Sequence, residues 1–184
     1  MGRLTVEDMP GGEVAHRPLH FIWMVDCSGS MAGEKIASLN HAINEAVPEM
    51  KNVARANPFA DVFVRAITFS TGAMWHIQTP TLVEEFTWTD VAAVRGVTDL
   101  GRTLTMVADE LRIPPMTDRA FPPVIVLLSD GQPTDDYKSG LNALMNQPWG
   151  VKAVRIAVAI GRDADTDVLQ KFMGHPELTP LFAN

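Results

Sequence analysis

The stretch Leu19–Lys35, LHFIWMVDCSGSMAGEK, decides how the chain is read. Leu19–Val25 is apolar apart from His20, which suits a strand covered on both faces. Asp26–Gly33 then sets one aspartate, two serines and two glycines within eight residues. A buried strand ending on side chains that offer oxygen and no nitrogen poses a chemical question.

Three further runs of strand length surround it: DVFVRAITF (Asp61–Phe69), PVIVLL (Pro123–Leu128) and AVRIAVAI (Ala153–Ile160). Between them lie segments of helical spacing. Ile36, Leu39, Ile43, Ala46 and Val47 form one, and Leu104, Val107, Ala108 and Leu111 a second, stopped by Pro114 and Pro115. Leu141, Leu144 and Met145 mark a third helix, and Val168, Leu169, Phe172 and Met173 a fourth. Met74–Ile77 fits a short edge strand. Strand and helix alternate, which predicts an α/β fold with a doubly wound, mostly parallel central sheet flanked by helices.

The 184 residues fit one domain that hides roughly 70 per cent of its unfolded surface. Residues 1–18, acidic and glycine-rich, read as a loosely held tail, and 19–184 as the domain. The formal net charge is −7, and Lys and Arg are scattered without a basic run, which argues against nucleic acid as a partner. Cys27 is the only cysteine, so no intrachain disulfide forms and zinc patterns needing two cysteines are excluded. Residues 1–18 lack a basic start followed by an apolar block, and no run reaches the roughly 20 apolar residues of a membrane span. These features predict a cytoplasmic chain.

In open α/β sheets, ligands settle beyond the carboxyl ends of the strands. Asp26, Ser28 and Ser30 alternate directly after the first strand, so their side chains can converge on one side while Cys27 faces the other. A competing reading makes Asp26 or Ser28 a cap of the following helix. LLSDGQPTDD brings Asp130 to the end of the third strand, with Thr134, Asp135 and Asp136 suited to a helix start. Thr98, in RGVTDLGRTL, stands just ahead of a helix and alone reads as an N-cap.

Together the loops supply Asp26, Ser28, Ser30, Thr98 and Asp130: two carboxylates and three hydroxyls. Such an all-oxygen set suits Mg²⁺ or Mn²⁺. Hydroxyls neutralise no charge, so the ion stays electrophilic, and a Glu or Asp from a protein partner is its best further ligand.

DCSGSM after a hydrophobic strand, GVTDLG and LLSDGQPTDD together resemble the metal-ion-dependent adhesion site of the von Willebrand factor A domain family, over about His20–Asn184. LLSDGQPTDDY and AIGRDAD resemble in particular its bacterial tellurite-resistance TerY-like subgroup. The resemblance implies a module that binds an acidic side chain of a protein partner and is not a catalyst. It implies that Asp26, Ser28, Ser30, Thr98 and Asp130 are the metal-site residues, with at least one aspartate acting through water. It also implies a setting in bacterial stress response or tellurite resistance, with kinase or phosphatase partners. Where the family often has two glycines before the threonine, this chain has Gly96 and Val97. A β-branched residue disfavours positive φ, so a different loop path is expected, with Thr103 as the alternative ligand.

Other patterns lead away from a site. Asp163, Asp165 and Asp167 alternate as at the start of an EF-hand loop, but Val168 stands at its glycine position and Gly174 at its closing glutamate. Asp165 or Thr166 is therefore expected to cap a helix. His16, His20, His41, His76 and His175 show no zinc spacing. A strand-end aspartate beside Mg²⁺, acting as a phosphoryl nucleophile while the ion stabilises charge on the transferred group, is the enzymatic alternative. It lacks the DxDxT run, since Ser28 stands where the second aspartate belongs.

Overall fold

The computed structural model describes residues 16–183. The stretch after Pro18 is indeed a strand, β1 (Arg17–Asp26), and it lies inside a six-stranded sheet. The elements that follow are α1 (Glu34–Ala56), β2 (Ala60–Ser70), β3 (Gly72–Leu82), α2 (Leu100–Glu110), β4 (Val124–Ser129), α3 (Tyr137–Met145), β5 (Val154–Ile160), α4 (Thr166–Met173) and β6 (Leu181–Ala183). The sheet order is β3-β2-β1-β4-β5-β6, and every pairing is parallel except that of β2 with β3. The doubly wound α/β architecture expected from the alternation is present.

Alternate side chains of the inner strands enter two separate cores. Ile22, Met24, Ile125, Leu127, Ala157 and Ala159 pack with Leu104 and Val107 of α2, Leu144 of α3 and Leu169 and Phe172 of α4. On the opposite face, Trp23, Val25, Val126, Leu128 and Ile160 pack with Leu39, Ile43 and Val47 of α1 and with Phe86 and Trp88 of the β3–α2 connection. Apolar side chains on both faces are what made the first, third and fourth runs read as continuous.

The direction of winding, though not of the strands, switches between β1 and β4. From β1 the order runs outward through β2 and β3 on one side and through β4, β5 and β6 on the other. The loops after β1 and β4 therefore leave adjacent strand ends toward opposite helix layers, and the crevice between them lies where such sheets hold ligands.

Several boundaries differ from the sequence reading. Arg17 and Pro18 belong to β1 rather than to the expected tail, and Arg17 donates to the carbonyls of Arg119 and Ala120. Residues 1–15 lie outside the described residues. The short edge strand at Met74–Ile77 is eleven residues long. Its pattern was broken by a bulge that sets Gln78, Thr79 and Pro80 opposite Arg65, where an edge tolerates proline. Helix α1 runs through Pro48, which sits on its exposed face, so the carbonyl freed by the missing N–H meets water. Strand β6, only three residues long, gave no sequence signal.

Far from the crevice, His20 of β1 stacks on Phe63 with ring centroids 5.8 Å apart. Burial, aided by the Arg65 guanidinium and opposed by Glu110, lowers its pKa to about 4. The unfolded chain, with a histidine near 6.5, takes up the proton first on acidification. His20 thus contributes a loss of stability as pH falls from about 6.5 to about 4. His20→Gln is expected to show a smaller drop in melting temperature over that interval, measured by calorimetry at several pH values.

Candidate metal centre

The register of β1 against β4 pairs Val25 with Leu128, so the next residues of the two strands, Asp26 and Ser129, meet at the end of the sheet. The Ser129 hydroxyl donates to Asp26 Oδ2 at 2.6 Å, and the Ser28 amide donates to Asp26 Oδ1 at 2.9 Å. Asp26 and Asp130 are both 0 % exposed. Burial raises the pKa of Asp26 above its ordinary range, against the hydrogen bonds from Ser129 and Ser28, and the nearby Asp130 charge adds to the rise.

Neither Asp26 nor Ser28 caps a helix. The loop makes a single tight turn at Gly29–Met31, Ser28 precedes it without a side-chain capping bond, and α1 begins after Gly33, whose φ is 81°. The hydroxyls are instead turned to each other: Ser28 Oγ lies 3.1 Å from Ser30 Oγ. Ser28 is buried and Ser30 exposed, so the pair leads from the carboxylates to the surface. Cys27 points the other way into the α1-side core, and burial together with Asp26 pushes its thiol up to about 12, which leaves it inert.

Asp130 is held differently. Its carbonyl accepts from the Asp165 amide at 2.7 Å, and Gly131, at φ 72°, passes so close to Asp165 that a Cβ there would meet the Asp165 carbonyl oxygen at 2.2 Å. Asp130 Oδ2 accepts from Lys35 Nζ at 3.3 Å. Asp130 Oδ1 is buried and has no hydrogen-bond partner among the described residues. A buried carboxylate oxygen without a donor is costly, and its lone pairs are those a hard cation takes.

The loop bearing Thr98 is tied to both others. The Gly29 amide donates to Gly96 O and the Val94 amide to Cys27 O, while Thr98 and Thr134 exchange two bonds, Thr98 N to Thr134 Oγ1 and Thr134 N to Thr98 O, each 2.9 Å. Thr98 is buried, and the N-cap position of α2 belongs to Asp99, whose carboxylate accepts from the Gly72 amide. The path expected to differ because of Val97 is accommodated without positive φ there. Gly96 carries the close approach, since a Cβ on it would lie 2.4 Å from Ser70 Oγ. Thr103, the alternative ligand, is spent inside α2, where its hydroxyl donates to Asp99 O.

Two groups of supporting residues escaped the sequence reading. Asp135, expected to start α3, caps α2 instead: its carboxylate accepts from the Gly101 and Arg102 amides, and only Asp136 caps α3, accepting from Ser139 N. Asn40 of α1 accepts from Trp88 Nε1 and Val91 N and donates to Val91 O, which fastens the Val91–Gly96 segment to α1. Both act across distant sequence, where no local pattern signals them. Asp165 does cap α4, as expected, accepting from Asp167 N.

The von Willebrand factor type A domain family matches residues 22–184, and the chain belongs to that family, whose members often mediate protein–protein interaction and adhesion. Similar solved folds include the ArnB paralog VWA2 from Sulfolobus acidocaldarius, at 18 % identity and TM-score 0.64 over 92 % of this chain and 42 % of that one. The manganese-loaded Plasmodium vivax TRAP protein is 16 % identical, with TM-score 0.59 over 93 % of this chain and 70 % of that one. The pilus adhesin SpaC from Lactobacillus rhamnosus GG is 14 % identical, with TM-score 0.65 over 91 % of this chain and 28 % of that one. The chain thus spans less than half of the archaeal protein and under a third of the adhesin. No curated protein sequence matches it. Among the described residues, no helix is long and apolar enough to cross a membrane.

Asn40→Ala removes three hydrogen bonds and leaves the Trp88 and Val91 groups without their partner. A loss of about 1–3 kcal/mol in unfolding free energy is expected in a urea titration.

Proposed function

We propose that this chain is a divalent-cation-dependent protein-binding module in which Asp26, Ser28, Ser30, Thr98 and Asp130 hold Mg²⁺ or Mn²⁺ and a partner's Glu or Asp completes the shell. The observation that carries the reading is the pair of fully buried carboxylates at adjacent strand ends, with Asp130 Oδ1 lacking any donor among the described residues. The donor chemistry fits a hard ion, and the Ser28–Ser30 pair extends it toward the surface. The manganese-loaded TRAP protein supports a metal-binding role by analogy of fold.

Asp26 already accepts a bond on each oxygen, which suits a carboxylate acting through water. The ion's contribution is a positive, electrophilic point at the mouth of the crevice. A groove of about 610 Å³ between β3 and the β3–α2 connection is lined in part by Cys27, Ser70 and the exposed Met74 and Val94, so it begins one residue from Asp26. Apolar contact beside a charged anchor is a common way for an interface to gain affinity. The TerY-like features of the sequence suggest a cytoplasmic, bacterial stress-response setting with kinase or phosphatase partners, and a binding rather than catalytic role.

Titration calorimetry with MgCl₂ and MnCl₂ tests the site. Wild-type protein is expected to bind one ion per chain, and Asp130→Asn or Ser28→Ala to weaken binding by about a hundredfold while retaining the wild-type circular dichroism spectrum. Partner capture from the native host is expected to vanish in EDTA. Unchanged binding in both variants would refute the assignment.

A further inference from the structure

Among the described residues, one cation touches the buried carboxylates: Lys35, near the start of α1. Its Nζ stands 3.3 Å from Asp130 Oδ2 and 2.9 Å from Asp163 Oδ2. The side chain is 17 % exposed, and its stem passes over Gly161, where a Cβ would come within 2.7 Å of Lys35 Cε. The stem is thus seated in a gap that a glycine leaves open. The two carboxylates it joins are unlike: Asp130 is fully buried in the candidate site, whereas the Asp163 side chain is 67 % exposed on the β5–α4 loop.

An ammonium on Asp130 draws on the same negative charge that a divalent ion would use, and it repels that ion. Near a protein surface, like charges only a few ångströms apart repel strongly, and salt screens such close pairs least. A second carboxylate on the outer side of the ammonium offers it an anchor away from the ion.

We propose that Lys35 is a tethered counter-cation that sets the affinity of the Asp26–Asp130 site for a divalent ion, and that Asp163 limits the competition by holding the ammonium outward. The proposal rests on the metal-site reading above. Lys35 supplies positive charge to Asp130 when no ion is bound and yields that role when one is. It acts through Asp130 and is a positioning residue, not a ligand.

Lys35→Met keeps the stem and removes the charge. In EDTA this variant is expected to melt at a lower temperature than wild type, because Asp130 loses its counter-ion. By calorimetry it is expected to bind Mg²⁺ about tenfold more tightly, and Mg²⁺ is then expected to raise its melting temperature by more than it raises that of wild type. Asp163→Asn is expected to weaken Mg²⁺ binding, since the ammonium then rests on Asp130 alone.

Both changes also alter net charge, so the double variant decides the matter. If Asp163 acts through Lys35, Asp163→Asn has little effect on Mg²⁺ affinity once Lys35 is methionine. An undiminished effect in that background means a long-range field and overturns the proposal, as does wild-type Mg²⁺ affinity in Lys35→Met. Should Lys35→Met not fold, Lys35→Gln gives the same comparison. If wild type and Lys35→Met both bind neither Mg²⁺ nor Mn²⁺, the metal-site reading falls, and this inference with it.

Discussion

Two carboxylates, Asp26 and Asp130, are buried together at the ends of adjacent parallel strands, and the surrounding loops are built around that fact. Parallel strands lie about 4.8 Å apart, so the β1–β4 pairing leaves the two groups within close electrostatic reach. Two carboxylates about 5 Å apart at an effective dielectric near 20 repel by about 3 kcal/mol, and the Asp130 charge does act on Asp26. A hydrogen bond to a charged group is worth about 1.5–3 kcal/mol, so the bonds from Ser28 and Ser129 to Asp26 and from Lys35 to Asp130 are of the size needed to offset it. They do not offset desolvation as well. That is why the Asp26 carboxyl stays above its ordinary range although two donors reach it.

The loops that carry the oxygens are joined before any ligand arrives. Gly29 with Gly96, Thr98 with Thr134, and Asp130 with Asp165 link four connections through backbone groups. Asn40 and Asp135 fasten two of these connections from outside, one to α1 and one to the start of α2. Buried side chains that lock loop geometry keep a set of donors near its working arrangement, which reduces the entropy lost on binding. The arrangement also explains an asymmetry among the acidic residues. Asp26 and Asp130 are fully buried, whereas Asp99, Asp135, Asp136 and Asp165, none of them buried, have their carboxylates on backbone amides alone.

The inner strands were legible because both of their faces are apolar, so Phe21–Val25 and Val124–Leu128 needed no partner to be recognised. The edge was not: Pro80 and the bulge opposite Arg65 broke the alternation of β3, and β6 is too short for any pattern. In the site, Asp26, Ser28 and Ser30 could be read from their spacing, since alternation in one loop is a local property. The roles of Asp135, Asn40 and Lys35 could not. Each acts on groups thirty or more positions away, and their types are equally at home on a solvated surface. The GRDAD stretch illustrates the same limit. Its carboxylates fail as a calcium loop, yet Asp163 and Asp165 buttress Lys35 and Asp130 from the side.

Charge gives the site a direction. The two buried carboxylates with Lys35 leave one net negative charge at the crevice, with Asp163 largely screened by water on its outer side. An acidic partner meets repulsion there, strengthened by a chain that is itself acidic overall. A divalent ion in the proposed position reverses the local sign to one net positive charge without moving a strand. A partner carboxylate then gains an attraction that the bare protein denies it. On this argument the ion need not reshape the domain to control binding, because changing the sign of the field over a prearranged set of oxygens is sufficient.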